Sequence, residues 1–338
     1  MQIKHIKYIC KRKAKGKLKI LYRHIESNFG KLAEPFVLHS IKLNYISAVW
    51  AVLYETLLVE QKIKRSIKES IATCISEVNK CPYCIDAHTV MVFGTDKSLE
   101  NNIQHLKTNP TESPTKEDEI IYWALHNLDF QNKLLKSPPF NKQEAPEIIG
   151  TAVLFHYINR MVQVFAQDSP FPISFWKKQI KYFAANFIFN KALKKPKTKG
   201  ESLGFLNTTS LNNDFIWAKE TPEIQSAFCH LKKEISQDIN TLLSSESIDY
   251  IKNTAKNLDL LNNSFGHKNK NAFLENIKQK DKIVSEYCFL MMFEHHKIQD
   301  THIKALKEFL SQEQILQLSA WSSLLIAENI GEALCVKS

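Results

Sequence analysis

Apolar residues return every three or four positions along most of this chain, the period of helices packed by one face. From Pro35 to Leu58 the pattern is helical, with Trp50, Leu53, Tyr54, Leu57 and Leu58 at such steps. Ile63, Ile67, Ile71, Cys74, Ile75 and Val78 then mark a second stripe, which Asn79 or Lys80 ends. A third helix is predicted to open around Pro82, since proline is tolerated in a first turn, and to run through His88 and Met91 to a C-terminal cap signal at Gly94. Thr111–Thr115, with Pro110 and Pro114, reads as a loop, and Thr115-Lys116-Glu117-Asp118 opens the next helix in the manner of a capping box. Pro138-Pro139 breaks the chain. Pro146 then begins a strongly apolar helix ending near Gln167.

Residues 168–215 read as a connector, with a Lys-rich patch from Lys191 to Lys199 and a Phe-rich piece, Phe171 to Phe189, that can pack as a helix within it. A second round follows. Thr221-Pro222-Glu223 starts a helix through Cys229 and Ile235. The stretch at 281–298 matches 117–130 in position and pattern, and 313–336 matches 147–165. Same order and similar separation suggest two diverged copies of one helical unit. The expected organisation is a basic arm (1–30), a first helical domain (31–167), the connector (168–215) and a second, degenerate domain (216–338).

Composition supports an all-α fold. Only 8 Gly and 11 Pro occur in 338 residues, too few for the turns of a many-stranded sheet. No apolar run approaches the roughly 18 residues of a membrane span and no signal-peptide core follows the start, so the expected location is cytoplasmic. The net charge of +10 is uneven: Lys4, Lys7, Lys11, Arg12, Lys13, Lys15, Lys17, Lys19 and Arg23 precede the first acid, Glu26. Such an arm can touch nucleic acid or an anionic surface. No aromatic-interleaved platform accompanies it, and it is read as a solvated, partly disordered start.

Seven cysteines are scattered among apolar residues, as in a reducing compartment. Only Cys81 and Cys84 pair by spacing, in NKCPYCIDAH. On a helix Cys84 adjoins Cys81 and also His88, one turn later. The thiolate is the nucleophile, and a helix N-terminus and an imidazole both favour it. The N-terminal position favours ionisation of Cys81 and the imidazole favours Cys84; the expectation follows His88, which can take the proton directly. Zinc is a rival, with Cys74 and Glu69 as the nearest further ligands, but no second CxxC or HxxxH completes a set. Two buried structural thiols are the plain alternative. CPYC also occurs in glutaredoxins, which place it after a strand; here a helical stripe precedes it.

The longer stretch KESIATCISEVNKCPYCIDAHTV, residues 68–90, resembles the AhpD-like, carboxymuconolactone decarboxylase family: Glu, eleven residues, Cys-x-x-Cys, three residues, His. Glu69, Cys81, Cys84 and His88 occupy those positions, with Asn79 at the usual Asn. The resemblance covers roughly residues 35–166, and HYINRMVQVF, with Asn159 and Arg160, looks like the family's closing helix. Parts of the second half resemble two-copy members. The resemblance implies an AhpD-like helical fold, in tandem duplication, and thiol-dependent hydroperoxide reduction. Cys84 would attack the peroxide, Cys81 would resolve it, and Glu69 and His88 would relay the proton, through water if needed. No cofactor or metal is implied beyond an external dithiol donor, and a homo-oligomer is a further expectation. The chain departs at Tyr83, where peroxidase members can carry a His. The alternatives are a cofactor-free decarboxylase-like enzyme and a non-enzymatic redox-sensing helical module.

Apart from the motif, Glu69 lies off the centre of its stripe among Lys64, Arg65 and Lys68, and reads as an exposed carboxylate. His156 reads as a satisfied core histidine, Arg160 as the partner of a carboxylate, and Asn159 as a bond to a helix end. His295 and His296, with Glu294 and His302, resemble a metal cluster by composition alone and are expected at the surface or an interface.

Overall fold

The computed structural model describes residues 3–96, 98–99, 103, 113–170, 190–207, 213–237, 239–261 and 277–335. Among them, regular structure is helical, and extended pairing is confined to a bridge between Ile3 and Ala166. The all-α class expected from periodicity is the class the chain adopts.

The basic start is not a solvated arm. Helix α1 (Gly16–Phe29) buries Leu18, Leu21, Tyr22 and Ile25, while Lys15, Lys17, Lys19 and Arg23 stay exposed. The Tyr22 hydroxyl donates to the Ile9 carbonyl at 2.6 Å. Spacing of the apolar residues decided the outcome: three- and four-residue steps give this segment a face to bury, whatever its charge.

The single helix expected from Pro35 to Leu58 is interrupted. A short helix, Glu34–Val37, is followed by a turn and then by α2 (Leu43–Leu53). His39 anchors the turn, one ring nitrogen 2.9 Å from the Pro35 carbonyl and the other 2.8 Å from the Tyr157 hydroxyl. After α2 the chain widens into a π-helical turn, Tyr54–Leu58, closed by the Val59 N–H on the Tyr54 carbonyl. This turn holds the connector. Glu55 accepts from the Gly200 and Ser202 N–H groups and the Ser202 hydroxyl, and Tyr54 donates to Glu201. Gly200, at φ 80°, occupies the left-handed region that a side chain disfavours. The Phe171–Phe189 piece of the connector lies outside the described residues, as does part of the Thr111–Thr115 loop.

Next come α3 (Arg65–Val78) and α4 (Pro82–Thr95), an antiparallel pair. The Thr115 capping box forms as expected and opens α5 (Lys116–Leu125); α6 (Ala145–Phe165) follows. In the second half lie α7 (Pro222–Ser236), α8 (Ser245–Ala255), α9 (Gln279–Phe293) and α10 (Gln312–Ala333). Helices α4, α5 and α6 pack on α3, α6 packs on α10, and α2 packs on α7.

Every residue of α3 from Arg65 to Ser76 is buried. A helix enclosed on all sides must satisfy its charges internally. Lys68 donates to the Val59 carbonyl and pairs with Glu147 of α6 at 2.7 Å. Glu147 also accepts from the Lys62 and Ile63 N–H groups. Helix α6 is long and apolar enough to cross a membrane, contrary to the expectation that no such run exists, yet it is 94% buried inside this protein.

The α6–α10 contact depends on glycine. A Cβ at Gly331 would lie 2.5 Å from Val153 Cγ2 and 3.1 Å from Trp217 Nε1. Gly331→Ala should therefore destabilise the protein by about 1–3 kcal/mol, read as a lowered urea midpoint with an unchanged m-value. An unchanged midpoint would show that the two halves do not meet this closely.

Candidate active site at the α3–α4 turn

Helix α3 ends in a tight reversal. The Cys81 N–H bonds the Ser76 carbonyl at 2.9 Å and the Lys80 N–H bonds the Glu77 carbonyl at 2.9 Å, with Lys80 left-handed at φ 54°. This is a Schellman closure with lysine where glycine is usual. Cys81 is at once the last residue of that closure and the N-cap of α4, with Pro82 in the first turn. Cys84 follows in the same turn. Both thiols are buried, and neither is in a disulfide.

Glu69 is not on a solvated flank. It is fully buried, and its carboxylate is shared between two elements. Oε2 accepts from His88 Nδ1 at 2.7 Å, and Oε1 accepts from Arg65 Nε at 3.1 Å. Burial by itself would raise the Glu69 carboxyl, but the hydrogen bond and charge of His88, together with Arg65, hold it below the ordinary carboxylate range. With Nδ1 donating to Glu69, a neutral His88 carries its lone pair on Nε2. Phe155 packs edge-on against the ring, 4.5 Å between centroids.

The thiol pair has different neighbours. Cys84 touches Cys81 and Asn159, and among the described residues no hydrogen bond joins His88 to either sulfur. Burial, then the hydrogen bond and charge of Cys81, push the Cys84 thiol well up, against a smaller opposing effect of Asn159. In this resting arrangement a proton passing from Cys84 to His88 therefore needs an intermediary, the water that the expected relay allowed for. Enclosure disfavours the anion more than helix position favours it.

Asn79, the C-cap of α3, organises the surroundings. Its amide donates to Asn159 Oδ1 at 3.0 Å and to His156 Nδ1 at 3.1 Å. Asn159 donates to Ser76, and His156 Nε2 meets Asn127 Oδ1 at 2.7 Å. His156 is thus a satisfied core histidine, and Asn159 does bond a helix end. Among the described residues, Arg160 meets no carboxylate. Its guanidinium donates to the carbonyls of Met292 and His156, and burial lowers its pKa to about 9. His295 is buried rather than at the surface, its Nε2 donating to the Asn79 carbonyl at 3.1 Å. The second half thus contacts the α3 cap directly. Sequence spacing carried no sign of that, nor of Asn127. Arg65 was visible only as one residue of a basic flank.

Tyr83, in the position where a histidine can occur, donates to Glu34 at 2.7 Å and ties α4 to the first short helix. Among the described residues, no three of His, Cys, Asp and Glu gather as a metal site.

No family model matches this chain. It is 29% identical over 233 residues, 69% of its length, to a Mycobacterium tuberculosis protein named alkyl hydroperoxide reductase; the match spans 66% of that protein. The chain is thus similar, at modest identity, to a protein named for peroxide reduction.

Proposed function

We propose that this protein reduces organic hydroperoxides through the Cys81/Cys84 pair. The observation that carries the reading is the His88–Glu69 contact, a base oriented by a buried carboxylate one helical turn from Cys84. His88 Nε2, left as acceptor, takes the Cys84 proton through an intervening water, and the thiolate attacks the terminal peroxide oxygen. The O–O bond breaks, the alcohol leaves with one proton, and Cys84 becomes a sulfenic acid. The Cys81 thiol then displaces water from that sulfur and closes a disulfide. An external dithiol returns both cysteines to thiols.

Burial of Cys84 suits this sequence. The resting thiol is protected from indiscriminate oxidation, and ionisation is confined to moments when His88 holds the proton. We read the second half as a degenerate copy standing where single-copy relatives would place a partner subunit. Support comes from α6 against α10 and from His295 and Arg160 bridging the halves.

Mass spectrometry of peroxide-treated protein tests the reading. It should find a Cys81–Cys84 disulfide, and in Cys81→Ser a sulfenic acid trapped at Cys84. Oxidation at other cysteines, with this pair untouched, would overturn it. Sustained peroxide consumption with a supplied dithiol separates an enzyme from a redox sensor, which would oxidise once and stop.

A further inference from the structure

The far end of the α3–α4 hairpin opens on a cavity of about 750 Å³ that the thiol chemistry does not use. It lies between the start of α3, the end of α4 and the segment 193–197. Among the described residues, five cations line it, Lys64, Arg65, Lys194, Lys195 and Lys197, against Glu60 and Asp96. Both acids are engaged: Glu60 accepts the Arg65 N–H at 2.6 Å, and Asp96 accepts the Ser98 N–H and hydroxyl.

Arg65 is the decisive residue. It is only 4% exposed, its Nε is held by Glu69, and its Nη2 has no hydrogen-bond partner among the described residues. Leaving a buried guanidinium N–H unbonded is costly. The lysines add to the excess of charge. Lys197 donates to the Ala192 and Lys195 carbonyls and Lys195 to the Ser27 hydroxyl, and among the described residues neither forms an ion pair with a carboxylate. Burial, then the positive charges of Arg65 and Lys195, bring the Lys197 ammonium down to about 8, against the weaker pull of Glu201 and Glu60. Like charges are thus held together around a space of the size that takes a small ligand.

We propose that this cavity binds a small metabolite through a phosphate or carboxylate group, whose oxygens accept from the Arg65 guanidinium and from Lys195 and Lys197. Arginine supplies the planar fork that matches such an oxyanion, and the N-terminus of α3 adds favourable partial charge. The site also touches the chemistry, a consequence that rests on the function proposed above. Arg65 holds one oxygen of Glu69 and His88 holds the other. An oxyanion on Arg65 offsets the charge that Glu69 feels, which makes the Glu69–His88 pair more basic.

Calorimetric titration of the full chain with inorganic phosphate and, separately, with acetate, each against chloride at equal ionic strength, tests the site. Saturable binding of at least one oxyanion is expected, and the comparison says which group is preferred. Lys195→Gln combined with Lys197→Gln should weaken that binding at least tenfold, and Arg65→Gln should abolish it. The double variant alters exposed or half-exposed residues and keeps the test valid where Arg65→Gln fails to fold. Heats no different from chloride, or an affinity unchanged in the double variant, would overturn the site. The bound anion should also move the pH profile of peroxide consumption to higher pH. Binding without that movement would remove the coupling and leave the site standing, whereas absence of peroxide turnover would bear on the proposed function alone.

Discussion

Cys84→Ser is expected to end hydroperoxide turnover, lowering kcat/KM by at least about a thousandfold. The helical circular-dichroism spectrum should persist, because the exchange is nearly isosteric and Asn159 already offers a polar neighbour. Cys81→Ser should behave differently, completing one turnover and then stalling with Cys84 oxidised. The pH dependence carries a sign. Burial first, and then Cys81, push the Cys84 thiol up, so the neutral form dominates at neutral pH. Single-turnover oxidation should accelerate as pH rises into and beyond the range of a free thiol, about 8.5. A rate already at its plateau at pH 7 would contradict the buried, protonated Cys84 described here. A decarboxylase-like reaction retained in full by Cys84→Ser would replace the proposed chemistry with the cofactor-free alternative.

Glu69→Gln should cost both activity and stability. Removing the carboxylate leaves His88 without its orienting charge, and general-base losses of this kind run to about 10²–10⁴ in rate. It also leaves Arg65 buried without a counter-ion, and breaking one partner of such a pair costs roughly 3–5 kcal/mol. The pH dependence of stability separates this from simple loss of packing. The folded-state carboxyl of Glu69 lies below its ordinary range, so its contribution is present above the unfolded carboxylate pKa, about 4.3. That contribution is lost as pH falls through the lower folded value. Urea midpoints measured from pH 7 downward should therefore converge for the two proteins in acid. Parallel curves would mean that Glu69 is not ionised in the native state, and the oriented base would have to be given up.

Particular elements show where sequence reasoning was sufficient. Helices α3, α4, α5, α6 and α7 begin within a few residues of their signals, and α3, α4 and α6 end near theirs, because those signals are local: Pro82 and Pro222 in first turns, Thr115 with Asp118, and Asn79 at a C-terminus. The break at His39 was not legible. It depends on Tyr157, more than a hundred positions away, satisfying a buried imidazole. The burial of α1 was hidden by its charge, although its apolar spacing was plain. His295 was expected at the surface or an interface, and it sits buried between the halves; its partner there, a backbone carbonyl, leaves no trace in residue type.

By itself the sequence determined which groups are candidates for chemistry: two sulfurs three apart, an imidazole one turn on, and a carboxylate at the motif spacing. Helical periodicity is enough to bring the first three onto one short helix. Only the tertiary structure decided that Glu69 meets His88, that Cys84 faces Cys81 and Asn159 with its proton held by burial, and that Arg65 joins the Glu69 carboxylate to a cationic cavity. Those outcomes depend on how enclosed each group is and on the charges packed beside it. Such energies arise between distant segments and cannot be summed along the chain.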